Sequence, residues 1–174
     1  MILYTLQNLI WYKFFSLVLQ GDFKHLVLLY MKIIALDVGD VWVGIAMSDG
    51  AGISCRPYIT VKFNELEDKI KELLSQEDIG SVIVGHPVTT KGESSAQTKR
   101  IEKIFEDLKN KFQEIDGGKI NWILWDERFS TKRAMSVIQS KSKKKRSKES
   151  TKEHAIAAAF ILQSYLDSKA FHEE

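Results

Sequence analysis

Beyond residue 30 the apolar positions fall into short blocks, first at strand spacing and later alternating with helical stripes. Lys32 to Leu36 is a short apolar run ending at Asp37, and Val41 to Met47 follows after Gly39. Two apolar runs divided by a glycine-containing turn predict a β-hairpin. Ile59 to Phe63 is a candidate third strand. Asn64 then opens a helix as its cap, with Glu67 completing a capping box, and Leu66, Ile70, Leu73 and Leu74 share one helical face. Val82 to Val84 reads as a short buried strand closed by Gly85-His86-Pro87. Ser94 to Phe112 is expected to be helical, with Ile101, Ile104, Phe105, Leu108 and Phe112 as its stripe, and Gly117-Gly118 breaks it. Ile120 to Trp125 is another strand. Thr131 to Ser140 is a helix with Ala134, Val137 and Ile138 inward. The last helix runs from about Lys152 to Ser168, leaving 169–174 as a tail.

This order is a hairpin with a third strand, then α-β-α-β-α-α. Antiparallel strands followed by crossovers imply an α/β fold, a mixed sheet with helices on both faces. No internal repeat or linker divides residues 31–168, which read as one domain. At 174 residues the chain has the size of a single ordinary domain.

Residues 1–30 stand apart. Leu9 to Leu19 and Leu26 to Tyr30 are apolar, but Lys13 and then Gly21, Asp22, Lys24 and His25 interrupt them. That falls short of the roughly 20 residues a bilayer crossing needs. A secretory signal would need a basic start and a small-residue cleavage site, and neither is present. The segment is an amphipathic extension, packed on the domain or a membrane surface, or a gene-model artefact upstream of a true start at Met31. The second reading is preferred. The lone Cys55 has no partner for a disulfide or a zinc pair, which suits a reducing, cytoplasmic setting. Net charge is only +2, so its distribution matters more. Lys141, Lys143, Lys144, Lys145, Arg146, Lys148 and Lys152 crowd twelve positions against Glu149 alone.

Three strings hold candidate chemistry. In Leu36-Asp37-Val38-Gly39, with Gly44 beyond, an acid at a strand end is costly to keep ionised without a cation or donors nearby. The glycines let the backbone approach a phosphate or a neighbouring strand. Taken alone, a turn aspartate capping its own backbone is the plainer reading. Asp126-Glu127-Arg128 follows a crossover strand, where ligand sites of open α/β sheets gather. Strand alternation allows only one of the two acids to face the way Asp37 does. Arg128 suits a phosphate, and Ser130 and Thr131 suit a helix cap. In isolation a solvated loop with a surface salt bridge is the better reading of this string. Lys152-Glu153-His154 opens a helix of small residues able to pack closely on the sheet, with Glu149 and Glu153 one turn apart. By itself His154 reads as an ordinary hydrogen-bonded histidine, and Gly85-His86-Pro87 as a structural turn. The basic run reads as a solvated loop unless phosphates lie near it.

Together, ALDVGDVWVGIAMSD at 35–49, VIVGHPVTTKGE at 82–93, LWDERFST at 124–131 and AIAAAFILQSYLD at 155–167 resemble the YqgF (RuvX) family of RNase H-like nucleases. Those proteins are described as Holliday junction resolvases and as pre-16S rRNA-processing nucleases. The resemblance covers Met31 to about Ser168 in order. It implies phosphodiester hydrolysis with Mg²⁺ or Mn²⁺. The implied catalytic residues are Asp37, Glu127 and His154, and the implied metal ligands are Asp37 and Glu127, with Asp126 and Glu153 in reserve. Arg128, Lys141, Lys143, Lys144, Lys145, Arg146 and Lys148 would hold the nucleic acid, either precursor rRNA, with ribosomal precursor particles as a partner, or branched DNA. A monomer or a homodimer fits equally. This chain departs from the pattern twice. His154 stands where the family carries an aspartate, and His86 replaces the leucine after the glycine of VGLP. The first departure keeps open a catalytically inactive nucleic-acid-binding module. A sugar-kinase or actin-like ATP site also begins with DxG in a hairpin, but that architecture needs two such domains.

Overall fold

The computed structural model describes residues 31–87, 95–115, 118–126 and 150–172. The expected helix 131–140, the Gly117 break, the basic run 141–148 and the apolar segment 1–30 lie outside them. Among the described residues no helix is long and apolar enough to cross a membrane.

Strand β1 (Lys32–Val38) lies at the centre of a five-stranded sheet. It pairs antiparallel with β2 (Trp42–Ser48) and parallel with β4 (Ile79–His86), which pairs parallel with β7 (Asn121–Asp126). The expected mixed sheet is therefore present. Buried on both faces, β1 alternates between two cores. Ile34, Leu36 and Val38 join a cluster with α1 (Leu66–Gln76) and α2 (Ala96–Phe112). Ile33 and Ala35 join Ala46 and Ile83 against Ala158, Ile161, Leu162, Tyr165 and Leu166 of α3 (Ser150–His172).

The element bounds differ from expectation where pairing outweighs local pattern. Strand β3 spans Cys55–Lys62, beginning four residues earlier than the apolar run at Ile59. It is an edge strand with exposed Arg56 and Pro57, and Pro57 sits at a register shift against β2. An edge tolerates a residue that cannot donate to the ladder. The box of Asn64 and Glu67 does not form. A 3-10 turn, Phe63–Glu65, precedes α1, so Asn64 is inside the turn and the Lys62 N–H reaches the Glu65 carboxylate. Glu67 instead pairs with Lys111 of α2. At α2 the cap is Ser95, whose Oγ accepts the Thr98 N–H at 3.1 Å. A two-residue ribbon, β5 (Glu114–Ile115) and β6 (Gly118–Lys119), follows α2. Helix α3 continues to His172, through part of the segment read as a tail, because no glycine or proline stops it.

Helix α3 meets the sheet at its small residues. A Cβ built on Gly44 of β2 would overlap the His154 carbonyl and lie 2.6 Å from the Ala155 N. Helix backbone thus rests directly on strand backbone. Further along, the Cys55 thiol donates to the Ala159 carbonyl at 3.2 Å. Burial, with the nearby charges of Asp167 and Asp49, pushes that thiol up to about 11.

Two outcomes follow from this packing. Gly44→Ala should cost about 1–3 kcal/mol or more in urea unfolding, because two backbones would have to separate. Gly118→Ala, whose added carbon would come no closer than 3.4 Å to a neighbour, should cost far less; equal losses would contradict the contact. With its pKa raised, Cys55 at pH 8 should alkylate with iodoacetamide about a hundredfold more slowly in the folded chain than in urea. Equal rates would show that the thiol is neither buried nor held.

Candidate active site

The carboxyl ends of β1, β4 and β7 and the first turn of α3 converge at one edge of the sheet. Asp37 is the penultimate residue of β1, and its partner across the hairpin is Gly44. Alternation places it on the α3 face with Ile33 and Ala35. At Gly44 the helix backbone lies on the strand, and there His154 turns its ring toward the neighbouring strand. His154 Nδ1 sits 2.8 Å from Asp37 Oδ2. With the carboxylate as acceptor, Nδ1 carries the proton. The two side chains are 33% and 23% exposed, respectively, so the pair is shielded but reachable.

Gly39 completes the seat. A Cβ there would lie 3.0 Å from His154 Cε1 and 2.7 Å from the Trp42 carbonyl oxygen, which accepts the Gly39 N–H across the turn. Gly39 and Gly44 therefore leave room for His154, its ring at one and its backbone at the other. The close backbone approach read from the sequence is real, and the protein neighbour at Gly44 is the backbone of a helix.

The opposite side of the same turn is held by a residue that sequence reasoning passed over. Arg100 of α2 donates to Asp40 Oδ1 at 2.8 Å and to the Gly39 carbonyl at 3.3 Å, and its guanidinium lies 5.2 Å from the Phe63 ring centre. Nothing in the helical pattern of 96–112 marks Arg100 among the other cations of that face. His86, at the end of β4, pairs with Glu102 of α2 at 3.0 Å, and Thr98 Oγ1 donates to the Pro87 carbonyl at 2.8 Å. The Gly-His-Pro segment is thus tied to α2, as a structural turn would be.

Across the sheet, Leu36, Val84 and Leu124 stand in one row. One residue on, Trp125 faces α3, edge-on to Tyr165 with ring centres 5.2 Å apart. Asp126, in register with His86, has the opposite parity and so belongs to the α2 face. Glu153 precedes His154 on α3 and is half-buried. Among the described residues no three His, Cys, Asp or Glu side chains cluster tightly enough to hold a metal ion. Of the sequence-derived set, the fold brings Asp37 and His154 together. It does not join Asp126 or Glu153 to them in such a cluster. Glu127, Arg128, Lys141, Lys143, Lys144, Lys145, Arg146 and Lys148 lie outside the described residues. A carboxylate oxygen beside an imidazole nitrogen is a donor pair that divalent ions of the first transition row accept.

Known proteins share this arrangement of sequence and fold. Residues 31–168 match the family model described as RuvX, Holliday junction resolvase. A protein of Thermoanaerobacter pseudethanolicus named "Putative pre-16S rRNA nuclease" is 34% identical over 142 residues, spanning 80% of this chain and 98% of its own length. A Bacillus mycoides protein of the same name is 35% identical over 146 residues, spanning 80% of this chain and all of its own. Among solved structures, Thermus thermophilus RuvC in complex with a Holliday junction substrate superposes with a TM-score of 0.50 at 12% identity. It covers 80% of this chain and 96% of that one, which is a likeness of fold. The family match runs through both halves of the Asp37–His154 pair, and the chain belongs to the RuvX family.

Proposed function

We propose that this chain is a metal-dependent nuclease that hydrolyses phosphodiester bonds, processing the 5′ end of precursor 16S rRNA in the cytoplasm during ribosome assembly. The observation that carries the reading is Asp37, held at the exposed end of the central strand against His154 at 2.8 Å. A reachable carboxylate beside an imidazole at the sheet edge is a common arrangement for handling a cation or a proton. The names of the relatives support the rRNA substrate.

In this reading Asp37 is the ligand fixed by the sheet. The family resemblance assigns the second acid to Glu127, which follows Asp126 in the sequence. His154 completes the ligand set or moves protons beside it. Bound Mg²⁺ or Mn²⁺ would supply Lewis acidity and a more acidic water for attack on phosphorus. Arg128 and the cations from Lys141 to Lys148 would neutralise flanking phosphates, contacts that carry no base sequence. The description of the family and the fold of RuvC favour a second reading, cleavage of four-way DNA junctions. That reaction would call for a two-fold dimer to cut symmetric strands.

Labelled precursor rRNA and synthetic four-way junctions, each incubated in Mg²⁺ and in Mn²⁺, test the proposal. The rRNA should be cut near the mature 5′ end. Asp37→Asn should lower the rate roughly a hundredfold or more while leaving the circular dichroism unchanged. Cleavage of junctions alone would favour the second reading. Binding that is equal in chelator, with neither substrate cut, would identify an inactive nucleic-acid-binding module.

A further inference from the structure

We infer that Asp37 and His154 form a preformed half-site for a divalent ion, and that His154 makes this chain select Mn²⁺ over Mg²⁺. The inference rests on the assignment of Asp37 as a metal ligand made above. It concerns the one position where this chain presents nitrogen instead of a carboxylate.

The geometry comes first. Two donors bound side by side to an octahedral ion at about 2.1 Å lie about 3 Å apart. His154 Nδ1 and Asp37 Oδ2 are 2.8 Å apart, the spacing of neighbouring ligands, so a turn of the imidazole away from the hydrogen-bond line would aim both atoms at one ion. The His154 end of the pair is held in place. The His154 backbone rests on Gly44 and its ring edge on Gly39, while Arg100 holds the Gly39 carbonyl from the other side. Binding through Nδ1 needs its lone pair, so a ring proton would sit on Nε2 instead.

The donor types then set the choice of ion. Mg²⁺ is a hard cation that prefers oxygen ligands and gives up its waters reluctantly. Mn²⁺ shares the preference of Mg²⁺ for carboxylate and water but, as a first-row transition ion, binds an imidazole nitrogen more readily than Mg²⁺ does. A nitrogen locked beside Asp37 therefore favours Mn²⁺, and an aspartate in its place would return the site to oxygen donors that Mg²⁺ accepts.

The test uses the full chain and Mn²⁺ as the probe. Free Mn²⁺ is followed by electron paramagnetic resonance during titration, Mg²⁺ is used as competitor, and pulsed spectra report nitrogen bound to the ion. Wild type should show a ¹⁴N coupling that changes to ¹⁵N on labelling with ¹⁵N-histidine. The coupling should be absent in His154→Ala and His154→Asp. His154→Asp should still bind Mn²⁺, but about tenfold less Mg²⁺ should displace it. The inference is overturned by bound Mn²⁺ without nitrogen coupling, by coupling that persists in both variants, by unchanged Mg²⁺ competition, or by no Mn²⁺ binding at all. Cleavage assays on the same samples separate the two ideas. Cleavage without nitrogen coupling would sink the inference and leave the nuclease reading standing, whereas nitrogen-bound Mn²⁺ without cleavage of either substrate would do the reverse.

Discussion

The bare contact between the His154 carbonyl and Gly44 fixes the site, because it sets where α3 begins relative to the sheet. Any side chain at position 44 would lift the helix from β2, and the ring of His154 would leave Asp37 with it. The contact lies directly opposite Asp37 in the hairpin register, so one missing Cβ aligns two distant parts of the chain. The small residues Ala155 and Ala158 extend the close approach along the helix, and Ala35 and Ala46 receive it on the sheet. Dense packing of this sort converts a backbone position into a side-chain position with little slack.

Much of the scaffold is legible in the sequence, for a plain physical reason. The blocks at 32–36 and 82–84 are apolar because β1 and β4 are covered on both faces, and such strands announce themselves; β7 is only half-buried but still carries an apolar run at 122–125. The stripe from Ile101 to Phe112 is equally clear because α2 buries one side only. The edge strand β3 is less legible. Its exposed Arg56 and Pro57 lack the apolar pattern, and it is a strand because β2 offers it hydrogen bonds. Asn64 and Glu67 fit a local capping rule, but an early 3-10 turn and Lys111 of α2 claimed those positions.

The site is legible in part. Asp37 could be singled out because an acid ends an apolar run, and Gly39 and Gly44 because they permit close approach. What they approach could not be read, since His154 lies 117 residues from Asp37 and no local pattern links them. The resemblance to the RuvX family marked position 154 by its departure from aspartate, and the fold gives that departure a partner. Arg100 left no trace in the sequence, because a cation on an amphipathic helix looks like any other until the turn it holds is in place.

A shared edge built from Asp37 and the start of α3 is the claim on which the functional reading turns. Paramagnetic broadening by substoichiometric Mn²⁺, read in amide NMR spectra of the full chain, locates a bound ion without reference to activity. The account predicts that the signals of Val38, Gly39, Gly44 and Ala155 vanish first, while those of Gly52 and Ser54, in the loop at the other end of β2, persist. Broadening centred on that far loop, or spread evenly over the exposed carboxylates, would contradict it.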